Sequence, residues 1–213
     1  MAHSSSGEDR FAVRARGYDE TDYRLRYVDD MAQAILERVP FTPDTTLLDF
    51  GAGTGLLTER LAPHVGAIHC VDISDSMISQ LEQKASRLPC AIKTLRQDLT
   101  RGALPNLKVD GIVSTMTLHH IEDPRALLGR LSALLRPGGF IALCDVDTED
   151  GTFHTVDTGV MHYGFDREQI RDWLRETGFS QVRVEDATTI VKPHGAYTAF
   201  VATGVLEKQQ AEP

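Results

Sequence analysis

The segment Leu47-Leu48-Asp49-Phe50-Gly51-Ala52-Gly53-Thr54-Gly55 constrains this chain more than any other. A short apolar run, Thr46 to Phe50, breaks into three glycines within five residues, and Leu56, Leu57 and Leu61 then follow as on a helix. Glycines in such a loop let the backbone turn tightly and approach a ligand closely. The helix after it presents free N–H groups at its start. A strand–loop–helix unit of this kind belongs at the carboxyl end of a strand in an open α/β sheet, where ligands bind.

The rest of the chain supplies such a sheet. Val28, Met31, Ile35 and Val39 recur at three- and four-residue steps and predict a helix running to about Pro40. Ala67 to Val71 reads as a second strand, and Asp75 as the cap of a helix carrying Ile78, Leu81 and Ala85. Cys90 to Leu95 and Val109 to Ser114 read as strands three and four. Asp123-Pro124 starts a helix with the stripe Leu127, Leu128, Leu131, Leu134 and Leu135, and Pro137-Gly138-Gly139 ends it before a fifth strand, Phe140 to Cys144. Asp166 caps a helix with Ile170, Trp173 and Leu174 inward, and Gly178 stops it. Gln181 to Glu185 and Tyr197 to Thr203 read as a terminal pair of strands. The alternation predicts an α/β fold, a mostly parallel seven-stranded sheet with helices on both faces.

Charge narrows the partners. Lys plus Arg number 22 against 31 Asp plus Glu, a net charge of −9 in 213 residues. An acidic domain repels a phosphate backbone, which argues against nucleic acid. No apolar run approaches the roughly 20 residues that span a bilayer, so no membrane association is expected. Met1 to Arg10 is polar and lacks the apolar stretch of a signal peptide; a cytoplasmic location is expected. Cys70, Cys90 and Cys144 are scattered, and inert thiols are the expectation.

Asp72 ends the second strand 21 residues after Gly51 (72 − 51), where a carboxylate can accept both hydrogen bonds of a ribose diol. That much fits a nicotinamide site as well as an adenosylmethionine site. Two details separate them. Leu56 stands where the dinucleotide fingerprint needs a third small residue. Asp49, just before the loop, would repel a pyrophosphate but suits a ligand carrying an ammonium and a sulfonium.

With D-F-G-A-G-T-G at 49–55, V-D-I-S-D-S-M at 71–77, Q-D-L at 97–99, D-G-I-V-S-T-M-T-L-H-H-I at 110–121 and L-R-P-G-G at 135–139, the chain resembles the class I S-adenosylmethionine-dependent methyltransferases. It is similar in particular to the small-molecule group related to quinone-biosynthesis methyltransferases. The resemblance runs from about Tyr18 to Thr203 and implies the Rossmann-like class I fold. It divides the chain into a disordered tail (1–16), an N-terminal lid helix (17–40), a methyltransferase domain (41–205) and a C-terminal tail (206–213). It implies that Gly51, Gly53 and Gly55 lie under the methionine part and ribose, that Asp72 holds the ribose hydroxyls, and that Ile73 and Met77 meet the adenine. Ordinary helix core accounts for Met77 equally well. Asp98 would meet the adenine amino group beside the Leu99 backbone, Thr115 and Met116 would line the methionine part, and Tyr18 would be the best lid contact, with Arg24 a weaker one.

The implied reaction is in-line displacement at the sulfonium carbon, dominated by positioning, with a base needed only if the acceptor keeps its proton. His119 and His120, after strand four, are candidate bases, with packing or hydrogen bonding as the other reading. His154 and His162, in the acidic and histidine-rich stretch after strand five, are further candidates as bases or as recognisers of an acidic substrate. That stretch (Asp145, Asp147, Glu149, Asp150) matches no standard ligand spacing, and no metal is assigned. The fourth strand lacks the Asn/Asp-Pro-Pro-aromatic cluster of many enzymes that methylate exocyclic amino groups of bases. The expected partner is a small-molecule acceptor bound by a monomer or homodimer. The alternative is a protein with the same fold that binds S-adenosylmethionine without transferring its methyl group.

Overall fold

The computed structural model describes Asp9, Ala15 and residues 17–156 and 158–207. Along the chain run α1 (Asp22–Arg38), β1 (Thr46–Phe50), α2 (Leu56–Leu61), β2 (Ala67–Asp72), α3 (Asp75–Ala85), β3 (Ala91–Arg96), β4 (Val109–Thr115), α4 (Pro124–Ser132), β5 (Leu135–Val146), α5 (Arg167–Glu176), β6 (Phe179–Lys192) and β7 (Gly195–Leu206). The strands form one sheet in the order β3-β2-β1-β4-β5-β7-β6. The first five pair in parallel, and β7 runs antiparallel between β5 and β6.

Alternation along each strand explains the two-sided core. Leu47, Ile68, Cys70, Val113 and Ala142 face α1 and α2, where Met31, Ile35, Leu57 and Leu61 are buried against them. Leu48, Phe50, Val71, Ile112 and Ile141 face Leu127, Leu128 and Leu131 of α4 and Ile170 and Leu174 of α5. Both faces are covered, so the central strands read as continuous apolar runs rather than alternating ones. Each fully buried Leu or Ile here contributes about 1.5–3 kcal/mol. Two helix starts match their sequence signals. Asp123 accepts from the Ala126 N–H at 2.9 Å, and Asp166 accepts from the Glu168 and Gln169 N–H groups; such caps are worth about 1 kcal/mol each.

Four expectations need correction. Ser74, not Asp75, caps α3: its side chain accepts from the Met77 N–H at 3.2 Å, while Asp75 is the first helical residue and pairs with Arg96. Leu134 and Leu135 lie past the end of α4, and Leu135 already pairs with Val109. The fifth strand therefore begins before Pro137-Gly138-Gly139, and a register shift between Val109 and Gly111 absorbs those residues as an irregularity. The terminal hairpin is much longer than the apolar runs predicted, because β6 is an edge strand with polar residues and two bulges. Its tip is the two-residue turn Pro193-His194, flanked by the Lys192–Gly195 pair.

The predicted tails fall mostly outside the described residues. Within the first, Asp9 is placed, accepting hydrogen bonds from the Ser74 Oγ–H and the Ser76 N–H, and Ala15 is buried. Among the described residues no helix is long and apolar enough to cross a membrane. β1 sends the chain to β2 on one side and borders β4 on the other, so the sheet has its switch point between β1 and β4.

Candidate functional site

A cleft of about 900 Å³ lies at that switch point. Every sequence-predicted ligand residue except Gly55 lines it: the loop residues Gly51 and Gly53 with Asp49 beneath, Asp72 and Ile73 after β2, Met77 on α3, Asp98 and Leu99 after β3, Thr115 and Met116 after β4, and Tyr18 from the N-terminal segment. Gly51 has φ +70°, and a Cβ there would stand 2.3 Å from Thr117. Gly55 serves packing instead. It sits at φ +88° before α2, where a Cβ would press on Leu81 at 2.9 Å. Met116 is held at φ 55°, a costly conformation for a non-glycine residue that often marks functional sites. Its N–H donates to the Cys144 carbonyl at 2.9 Å.

Three carboxylates set the electrostatics of the cleft. Asp72 ties the loop to β2, with one oxygen accepting from the Gly53 N–H at 2.8 Å and the other from the Ser74 N–H at 2.9 Å. Burial pushes its carboxyl up, and these hydrogen bonds pull it back only in part. Asp49 is 1% exposed and accepts from the Thr58 Oγ–H at 2.6 Å. Burial, reinforced by the nearby Asp72 charge, raises its carboxyl to about 7 against the Thr58 hydrogen bond. Asp98 stands at the rim with both oxygens engaged by Thr100 and Arg101. Burial alone would raise it, but those partners hold it below the usual carboxylate range. Ile73 is 56% exposed, an apolar surface at the cleft. Met77 is buried in the α3 core while still bordering the cleft.

The N-terminal segment closes over this loop. Asp19 accepts from the Thr54 Oγ–H at 2.6 Å and pairs with Lys84 at 2.7 Å. The Arg24 guanidinium stacks 3.9 Å from the centre of the Tyr18 ring and donates to the Tyr18 carbonyl. Tyr23 and Tyr27 pack on one helical face as their spacing predicts, with ring centres 6.3 Å apart.

A second cavity of about 570 Å³ adjoins the first. Tyr18, Tyr27, Met116 and His120 line both. Its remaining wall comes from α1, from Phe153 to Val156, and from the hairpin tip, Lys192 to His194. His119, His120 and His154 gather here, with ring centres 4.3 Å apart for His119–His120, 5.2 Å for His119–His154 and 6.0 Å for His120–His154. His119 is 2% exposed, and its Nδ1 lies 2.7 Å from Asp145, which is fully buried. A carboxylate on Nδ1 fixes the proton there and leaves Nε2 as the basic nitrogen. His162 reaches neither cavity; its Nε2 lies 2.8 Å from the Ile121 carbonyl, and its ring packs on Phe165. The sequence offers Asp145 without its imidazole partner and gives no signal for Lys192 and His194, which lie at the tip of the terminal hairpin, beyond the apolar runs that mark its two strands. Among the described residues no group of three or more His, Cys, Asp or Glu is placed to hold a metal ion. Cys70 and Cys144 are buried, and burial pushes both thiols up, away from the reactive thiolate.

Comparison with known proteins bears on this architecture. The methyltransferase-domain family profile matches residues 48–143. An uncharacterized methyltransferase of Mycobacterium tuberculosis is 39% identical over 97 residues, 46% of this chain and 48% of that protein. The chain thus spans about half the length of the curated relatives it matches first. Among solved structures, magnesium protoporphyrin IX methyltransferase from Synechocystis, with S-adenosylmethionine bound, superposes with a TM-score of 0.67 at 21% identity, covering 95% of this chain and 92% of its own. Phosphoethanolamine N-methyltransferase 2 of Haemonchus contortus, in complex with S-adenosyl-L-methionine, gives 0.69 at 18% identity, covering 98% and 62%. Residues 48–143 thus match a methyltransferase domain, and the seven-stranded sheet with the glycine loop at its switch point is the fold that these solved methyltransferases share.

Proposed function

We propose that this chain binds S-adenosylmethionine in the larger cleft and catalyses transfer of its methyl group to a small-molecule acceptor in the second cavity. The observation that carries this reading is the shared wall: Tyr18, Tyr27, Met116 and His120 border both cavities, so ligands in the two spaces meet there. The second cavity, about 570 Å³, suits a metabolite.

The cleft fits the cofactor on its own geometry. At Gly51 a side chain would collide with Thr117, which keeps the loop open to a ligand's approach. Asp72 is placed to accept from ribose hydroxyls, exposed Ile73 offers a face to a purine, and Asp49 lies under the loop as the counter-charge for a cation. When bound, the cofactor would supply a methyl carbon on a sulfonium, open to attack by an acceptor's lone pair with the thioether sulfur leaving with the C–S electron pair. The protein's part is alignment, for which effective molarity supplies most of the gain, together with removal of the acceptor's proton where it has one. His119 is the best-built base: Asp145 orients it and would stabilise the imidazolium formed on Nε2. His120, on the shared wall, stacks against it.

Calorimetric titration with S-adenosylmethionine, S-adenosylhomocysteine and NAD tests the reading. Binding of both adenosyl ligands and none of NAD is expected. Folded protein that ignores both adenosyl ligands would end it.

A further inference from the structure

The loop after β3 borders the larger cleft with Gln97, Asp98, Leu99, Thr100 and Arg101. It belongs to no helix or strand. A ligand that had to order such a segment would bind more weakly for doing so. Here the protein orders it from α4. The Arg130 guanidinium donates to three of its carbonyls: Nε to Leu99 at 2.6 Å, and Nη2 to Gly102 at 2.7 Å and to Arg101 at 3.1 Å. Gly102, at φ +66°, makes the turn that brings the last two carbonyls onto one nitrogen. A planar guanidinium serves several acceptors in fixed directions, whereas an ammonium is a point charge. The cleft wall includes Ala126 of α4. Arg130 stands four residues on, hence on the same helical face, and reaches the cleft only through the loop it holds.

What the loop presents to the cleft follows from this clamp. The Leu99 side chain is buried in the core beside Leu127, Leu128 and Leu131. Asp98 Oδ1 accepts from the Thr100 N–H at 2.9 Å and from the Thr100 Oγ–H at 2.5 Å, and Oδ2 pairs with Arg101 at 2.6 Å. The Arg101 side chain is 84% exposed, so a ligand displaces it from the carboxylate at little cost. Thr100 and Arg101, which aim the carboxylate, lie within the stretch whose carbonyls Arg130 holds.

We infer that Arg130 is a positioning residue for purine recognition: by clamping residues 99–102 it fixes the Asp98 carboxylate against the amino edge of the cofactor's base. The inference rests on the S-adenosylmethionine reading of the cleft. A 6-oxopurine presents an acceptor where adenine presents an amino donor, so a carboxylate fixed there rejects it. A carboxylate on a loose loop can turn away and loses that discrimination.

The test is calorimetric titration of the full chain with S-adenosylhomocysteine, S-inosylhomocysteine, which carries hypoxanthine, and S-ribosylhomocysteine, which carries no base. The native chain is expected to prefer the adenosyl ligand to the inosyl one by roughly tenfold or more, the size of one hydrogen bond to a charged group. Arg130→Met keeps the apolar stem and removes all three donors. It should lower S-adenosylhomocysteine affinity to near that of the inosyl ligand, with the other two ligands unchanged within about twofold. Arg130→Lys keeps the charge without the fork and should retain only part of the preference, and it carries the test alone if the Met variant does not fold. A native chain that binds the adenosyl and inosyl ligands equally, a preference untouched in both variants, or an equal loss for all three ligands would overturn the inference. Failure of the native chain to bind S-adenosylhomocysteine would instead bring down the cofactor reading, and this inference with it.

Discussion

The two cavities are built by different means. The larger cleft is lined mainly by residues that follow β1, β2, β3 and β4, each set in place by the strand it ends. The second cavity draws on residues 17–27, 116–120, 153–156 and 192–194, which only the tertiary fold brings together. Ligand binding at strand ends is a property of the sheet. Recognition in the second cavity is a property of the segments laid over it, which are free to vary without disturbing the sheet. Substitutions in the cleft should therefore change cofactor affinity, and substitutions in the second cavity should change turnover.

The largest effect is expected at Asp72. Asp72→Ala removes the acceptor for the ribose hydroxyls and also releases the Gly53 N–H. Affinity for S-adenosylmethionine should fall roughly 100-fold, the size of two lost charge-assisted hydrogen bonds. Calorimetry measures it, and a loss of less than a few-fold would detach the ribose from Asp72.

Asp145→Asn probes the other side. It keeps the shape but removes the charge on His119 Nδ1. Turnover should drop by roughly 100-fold, the lower end of a general base's contribution, while S-adenosylmethionine affinity stays within about twofold. The His119 tautomer, read from ring nitrogen shifts, should move from Nδ1–H toward a mixture. Equal losses of turnover and cofactor affinity would show that the two sides are not separable.

These predictions follow a division in what sequence can reveal. The cleft was legible because its signals are local. Gly51 precedes Asp72 by one helix–strand passage, and strand ends in such sheets face one edge. The His119–Asp145 pair was not legible, since it depends on β4 lying beside β5 with Thr115 opposite Cys144. Lys192 was missed for another reason. β6 is an edge strand, and its exposed Glu185 and Asp186 and half-buried Lys192 broke the apolar pattern that would have shown its length. His162 was drawn in by its chemistry alone. Ser74 and Asp75 are both good caps, and one residue of spacing does not decide between them.

The smallest effect is the one that ties the cleft to pH. Asp49 has its carboxyl raised to about 7 by burial, with Thr58 from α2, Cys70 from β2 and the Asp72 charge around it. Between the ordinary carboxylate range and about 7, the folded protein holds a proton that the unfolded chain has lost. Stability should therefore be highest below that window and fall as pH rises through it, by on the order of a few kcal/mol at most. Asp49→Asn keeps an acceptor for Thr58 and should flatten the slope, gaining on the native chain at high pH and not at low pH. Denaturant midpoints across the window measure this. A bound cation favours the ionised carboxylate, so S-adenosylmethionine affinity should rise several-fold between about pH 6 and about pH 8. S-adenosylhomocysteine, lacking the sulfonium charge, should gain less. In Asp49→Asn both slopes should vanish. Persistence of the S-adenosylmethionine slope in that variant would move the counter-charge from Asp49 to another group in the cleft.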